Sequence, residues 1–251
     1  MPASMLNLSA GGLVLSAAVF LCAGFARGYA GFGMSAVIMA ALTLILPPAE
    51  LVPIAIGLEI AASLGQARGV WHEIDWRILG FLFAGALIGN PIGVHLLATL
   101  PPEPVKSALL AFILFASLLL WLSPGLALRL SGSLLAATGL VSGIVNGAAG
   151  VGGLVVALVF TAGRIPAPVM RAVFIAYLFA IDLWGSALLT LNGLFDVTAL
   201  ARIGFALPFM ALGVWLGGRR FLSATPQSFR VFVLAMLVVL CAIGLIKLAL
   251  V

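Results

Sequence analysis

Gly24–Gly33 reads GFARGYAGFG, and Gly143–Gly152 reads GIVNGAAGVG. Gly24, Gly28, Ala30, Gly31 and Gly33 recur as Gly143, Gly147, Ala149, Gly150 and Gly152 at a single offset of 119 (143 − 24), with no gap. A lone G-x-x-x-G in an apolar chain carries little information, because glycine is frequent in membrane helices and lets two of them approach closely. Five small residues held in one register are the mark of a duplication.

The surrounding composition fixes the environment. Of 251 residues, 64% are hydrophobic and only 8% charged, and the mean hydropathy is +1.32. A soluble domain carries about a quarter charged residues, so this chain belongs in a bilayer. The excess of 12 Lys+Arg over 7 Asp+Glu fits a positive-inside bias. No basic tract or aromatic-basic interleaving points to nucleic acid. Cys22 and Cys241 lie in apolar runs without ligand spacing and read as packing residues. The N-terminal apolar run lacks a basic leader and carries the first motif copy, so it is expected to be retained.

A helix crossing the hydrocarbon needs about 20 apolar residues. That length divides the first half into Leu8–Ala26, a short run Met34–Leu46 stopped by Pro47 and Pro48, then Leu51–Gly65, Ile78–Leu100 and Val105–Leu122. The short run is expected to be a half-helix or re-entrant piece. Trp71 and Trp76, in the polar loop from Arg68 to Arg77, suit the membrane interface. The second half follows the same order with Leu130–Val145, Leu154–Ala162, Val169–Leu191, Ala199–Leu216 and Val231–Leu250. Pro166 repeats Pro47 at the 119 offset, and the last two segments align at 124 (213 − 89), matching Gly89 with Gly213, Gly93 with Gly217, Pro102 with Pro226 and Lys106 with Arg230. The chain is thus expected to be one transmembrane domain over residues 1–251, with repeats over about 8–125 and about 127–251.

Basic residues orient the halves. With an odd number of crossings per half and both ends outside, Arg27, Arg68, Arg77, Arg129, Arg164, Arg171, Arg219, Arg220 and Arg230 fall inside, against Lys106, Arg202 and Lys247 outside, nine to three. Even halves divide the same residues seven to five. The positive-inside rule therefore selects inverted-topology repeats.

Non-helical backbone at membrane depth is tolerated only inside protein or beside a wet cavity. Each glycine run ends at the start of a half-helix, at Met34-Ser35 and at Gly153-Leu154. Helix N-termini present unpaired N–H groups and a positive dipole end, so two facing ones would make an anion site, as expected of a secondary transporter. The expected fold class is therefore an all-α polytopic membrane protein with two inverted repeats, each holding a Gly-broken segment and a short half-helix or re-entrant piece.

A glycine-rich motif in each half, a half-helix ending at proline and the later Gly89–Gly93 spacing resemble the TauE/SafE sulfite exporter family, the DUF81-type permeases. The first copy has Gly33-Met34-Ser35 where many members carry a glycine run, and the second keeps Gly152-Gly153. The resemblance implies transport of sulfite, organosulfonates or related small anions across a bacterial inner membrane. On this basis the substrate-binding candidates are Arg27, Gly28, Gly31, Gly33, Ser35, Asn146, Gly147, Gly150, Gly152 and Gly153.

Arg27 and Asn146 occupy equivalent positions, and a guanidinium and an amide both donate to oxyanions. Arg27 as a helix-end anchor and Asn146 as an interhelical hydrogen bond are the structural alternatives. Glu59 and Asp182 are acids inside apolar segments, and Asp182 aligns with Ser63 at the 119 offset. Each is a candidate for proton coupling or for a permanent pair with a basic residue. His95 reads as a packing residue and His72 as part of a solvated loop. No nucleophile elbow, phosphate loop, zinc spacing or catalytic carboxylate pair occurs, so neither an enzyme nor a cofactor is expected. The expected partners are a small anion and the bilayer, without nucleic acid. The Gly89–Gly93 face leaves open packing within the chain or in a homodimer. An anion channel and a non-transporting scaffold component are the rival functions.

Overall fold

The computed structural model describes residues 10–122, 129–163, 165–221, 234, 237–242 and 244–246. The described residues contain no strand. In chain order the helices are α1 (Ala10–Ala30), α2 (Met34–Leu42), α3 (Pro48–Gln66), α4 (Trp76–Thr99), α5 (Pro102–Leu122), α6 (Gly132–Ala149), α7 (Gly153–Ala162), α8 (Ala167–Leu191) and α9 (Val197–Phe221). Seven of these, all but α2 and α7, are long and apolar enough to cross a membrane. The protein is an all-helical, multi-pass membrane protein. Of the segment expected at Val231–Leu250, helical residues lie at 234, 237–242 and 244–246. Arg164, Pro226, Arg230 and Lys247 lie outside the described residues.

Helix ends follow local chemistry. Asp75 caps α4 by accepting from the amides of Arg77 (3.0 Å) and Ile78 (3.1 Å), and Ser131 caps α6 by accepting from Leu134 N (3.2 Å). The short helix ends at Leu42, before the prolines expected to stop it, and Pro48 is instead the first residue of α3, where a proline loses no intrahelical bond. The glycine motif is less open than expected. Helix α1 runs on through Ala30 and α6 through Ala149, so only Gly31–Gly33 and Gly150–Gly152 interrupt the backbone. Gly31, Gly33 and Gly150 have φ of 79°, 92° and 68°, which glycine adopts without Cβ strain. The nine-residue α2 spans about 14 Å at 1.5 Å per residue, well short of the hydrocarbon. All its residues are buried.

Two closely packed helix pairs carry the interruptions, α1 with α9 and α4 with α6. Each pair joins the first long helix of one half to the fourth segment of the other. A methyl added to Gly24 or Gly28 would meet the backbone of Met210 or Val214, and one on Gly213 or Gly217 would meet that of Leu21 or Phe25. The equivalent glycines repeat this: Gly143 and Gly147 abut Ala86 and Asn90, while Gly89 and Gly93 abut Leu140 and Ile144. The Gly89–Gly93 face therefore packs within the chain. In lipid, helices associate by such close packing, without a hydrophobic drive between them.

Between these pairs lie α3 and α8, packed on each other. The start of α8 touches the α3–α4 loop, where Val70 and Ile74 bury with Ala172 and Ile175. At the other end, Glu50 near the start of α3 pairs with Arg202 of α9 at 2.5 Å. This head-to-tail placement is consistent with halves of opposite direction.

Gly89→Ala and Gly80→Ala separate close approach from helix propensity. Gly80 has nothing within 4 Å of an added methyl and should be neutral or gain up to about 1 kcal/mol. Gly89→Ala should lose about 1–3 kcal/mol through overpacking. Thermal denaturation of the detergent-purified variants checks this, and equal melting would remove the close-approach account.

Candidate functional site

The first interruption is held by Arg27, in the last turn of α1. Its side chain is fully buried, which corrects its placement in a cytoplasmic loop. Removing it from the charge count leaves eight against three for odd halves and six against five for even ones, so the preference stands. Arg27 Nη1 donates to Gly31 O, and Nη2 donates to Ser63 Oγ on α3 at 2.7 Å. Nε lies 3.3 Å from Glu59 Oε2, close enough for an ion pair but not aligned as a hydrogen bond. Glu59 is 2% exposed.

The other carboxylate oxygen of Glu59 faces the start of α2. It accepts from Ser35 Oγ at 2.8 Å and from Ser35 N at 3.4 Å. The N-terminus expected to offer itself to an anion therefore already holds one, supplied by the protein.

The second interruption has the same frame and different chemistry. Asn146 Nδ2 donates to Asp182 Oδ1 on α8 at 2.8 Å, and Gly152 N donates to Asn146 Oδ1 at 3.3 Å. Tyr177 OH donates to Ser142 Oγ at 2.8 Å, and Ser142 Oγ donates to Gly152 O at 2.8 Å. Arg27–Ser63 and Asn146–Asp182 are bonds between equivalent positions, each spanning 36 residues. The duplication thus preserves the contact and changes the charge: a cation with a hydroxyl in one half, an amide with a carboxylate in the other. At the positions equivalent to Ser35 and Glu59 the second half has Leu154 and Leu178, and Leu178 lies against Gly153 at the start of α7.

Helices of the opposite half cover both interruptions. An added Cβ on Gly31 would come within 3.0 Å of Arg171 Cγ, and one on Gly150 within 3.9 Å of Val52 Cγ1. Arg171 and Val52 are themselves equivalent at the 119 offset. Gly33 has open space around it, whereas a side chain on Gly152 would strike Ser142 and Asn146. Gly28 and Gly147 face neighbouring helix backbones, and their evident task is packing. Asp182 is fully buried and lies within electrostatic range of Glu59 and Arg27. His95 and His72 are exposed and stand apart.

Sequence reasoning missed Tyr177, Ser142 and the interhelical role of Asn90. A tyrosine within an apolar helix is a usable signal, since its buried hydroxyl needs a partner. Asn90 stands beside Pro91 within α4. Its amide donates to Ile181 O on α8 at 3.1 Å.

The family model for the sulfite exporter TauE/SafE matches residues 16–244, nearly the whole chain. No curated protein and no solved structure matches it.

A double-variant cycle tests the Arg27–Glu59 pair. Removing one partner of a buried pair typically costs about 3–5 kcal/mol, whereas replacing both by neutral groups restores much of the loss. Glu59→Gln combined with Arg27→Gln should therefore melt above Arg27→Gln alone. Additive losses would mean that the two side chains do not interact.

Proposed function

The chain belongs to the TauE/SafE sulfite exporter family of membrane transporters, and we propose that it is a secondary permease for small sulfur-containing anions such as sulfite or organosulfonates. The substrate is held between the two glycine-rich motifs, where the halves meet. The observation that carries this is the seat of Glu59. Its carboxylate accepts from Ser35 N and Ser35 Oγ at the α2 N-terminus and pairs with Arg27. A sulfonate or hydrogensulfite group presents the same single negative charge and the same kind of acceptor oxygens, and sulfite carries one charge more.

Glu59 therefore acts as an internal stand-in for substrate. Two anions cannot share one guanidinium and one helix end without strong repulsion in a low dielectric. A proton reaching Glu59 removes its charge and frees Arg27, Ser35 and the α2 amides for the incoming anion. Loss of that proton returns the carboxylate and expels the anion. Anion and proton then move together, and Asp182 is the second proton-coupling candidate. Asn146, Gly150, Gly152 and Gly153 form the facing wall, and Gly31 and Gly33 supply the backbone freedom of the near one. Alternating access comes from movement of α3 and α8, which carry the acids, against the glycine-packed pairs. The protein resides in a bacterial inner membrane with both termini periplasmic, the orientation favoured by the charge count.

Counterflow in proteoliposomes tests this reading. Labelled sulfite or an organosulfonate should accumulate saturably under an imposed pH gradient and exchange with unlabelled anion. Glu59→Gln, permanently neutral, should keep exchange and lose at least about tenfold in gradient-driven accumulation, the scale of losing about 1.4 kcal/mol of coupling. Flux without counterflow would identify a channel, and saturable transport of carboxylates alone would overturn the sulfur-anion assignment.

A further inference from the structure

Arg27, Glu59 and Asp182 bring one cation and two carboxylates to buried positions on α1, α3 and α8. Arg27 is committed to Glu59, which leaves Asp182 with the Asn146 amide as its hydrogen-bond donor and no such donor on Oδ2. A buried carboxylate without a compensating cation costs several kcal/mol even after relaxation, roughly the scale of an uncompensated buried ion. Some cation must neutralise it.

A second orphan lies on α4, which packs against α8. Asn90 Nδ2 donates to the carbonyl of Ile181, the residue before Asp182, while Asn90 Oδ1 has no partner. That oxygen abuts Gly147, the residue after Asn146. Gly185, one turn beyond Asp182, leaves room for Asn90, since a methyl there would come within 3.2 Å of its Nδ2. Two unpartnered acceptors in one buried cluster are repulsive unless a donor lies between them. A proton supplies both the missing charge and the missing donor, and it needs no added volume.

We infer that Asp182 holds a proton and donates it to Asn90 Oδ1, which makes Asn90 a positioning residue for that proton. Around Asp182, Asn146 of α6 donates to it, Asn90 of α4 bonds the carbonyl of the preceding residue, Tyr177 on its own helix bonds Ser142 of α6, and the charged groups within electrostatic range are Glu59 on α3 and Arg27 on α1. Helix α7 carries no titratable side chain. The position equivalent to Asp182 is Ser63 and the one equivalent to Asn90 is Val214, so the first interruption has neither the excess acid nor the acceptor beside it. Only the assignment of this proton to coupling rests on the transporter reading.

Infrared spectra of the purified full-length protein test the proton directly. At neutral pH a protonated-carboxyl band should be present, absent in Asp182→Asn, and displaced in frequency in Asn90→Leu and Asn90→Ala. Asp182→Asn places an N–H where the O–H stands and should melt within a few degrees of the wild type, while Asp182→Leu should melt lower. If no carboxyl band disappears in Asp182→Asn, or neither Asn90 variant displaces it, the inference fails. Stabilisation by sodium that Asp182→Asn abolishes, without a carboxyl band, would put a sodium ion there and also overturn it. A variant-sensitive band in a protein that moves no sulfur anion would instead sink the substrate reading alone.

Discussion

Every peptide group released at Gly31–Gly33 and Gly150–Gly152 must find its partner within the protein, because hydrocarbon supplies none. Arg27 answers for one interruption by donating to Gly31 O, and Asn146 answers for the other by accepting from Gly152 N. Both lie on the last turn of their helices, so the side chain reaches forward over the break that follows. The rest of the arrangement makes that reach possible. Glycine contacts bring α1 against α9 and α4 against α6, and the space between the pairs admits α3 and α8 with the polar groups that complete each site.

The duplicated frame shows which features the backbone dictates and which are chemistry laid upon it. Equivalent residues make equivalent bonds in Arg27–Ser63 and Asn146–Asp182, and equivalent residues, Arg171 and Val52, cover the two breaks. The positions are shared but the charges are not. One half has its cation on α1 and an acid within reach on α3, and the other has an uncharged donor and an acid on α8. A symmetric pair of sites would bind the same ligand twice. This asymmetric pair places an Arg–Glu ion pair at one break and an amide–carboxyl bond at the other.

Much of this was legible in the sequence. The five repeated small residues, the proline after each short run and the charge asymmetry led to two matched halves and to an all-helical membrane fold. The helix end at Ser35, expected to face an anion, is the one that meets the Glu59 carboxylate. What composition and spacing could not supply was partnership between segments. Nothing in the 119 offset says that Glu59 reaches the start of α2, because that depends on how far α3 slides along α1. Gly28 and Gly147 read equally well as ligand contacts or packing contacts, and their neighbours Val214 and Asn90 belong to segments with a different offset. Helix boundaries shifted for a local reason: glycine tolerates α-helix well enough that α1 and α6 continued to the first residue requiring positive φ.

The second half also serves as an internal control on why the first carries its charges. A buried ion pair contributes little net stability, since desolvation offsets most of the attraction, and apolar side chains of similar volume often do as well. Here the apolar substitution already exists: Leu154 and Leu178 stand where the first half has Ser35 and Glu59. The break before α7 closes around Leu178 without a carboxylate at the helix N-terminus, and both leucines are buried. The frame therefore does not require Glu59, and a cation on α1 without it would be left unpaired. Arg27 and Glu59 are explained together or not at all. The physical property that distinguishes them from the leucine version is charge, because an ion pair, unlike two leucines, is sensitive to protonation and to competing ions.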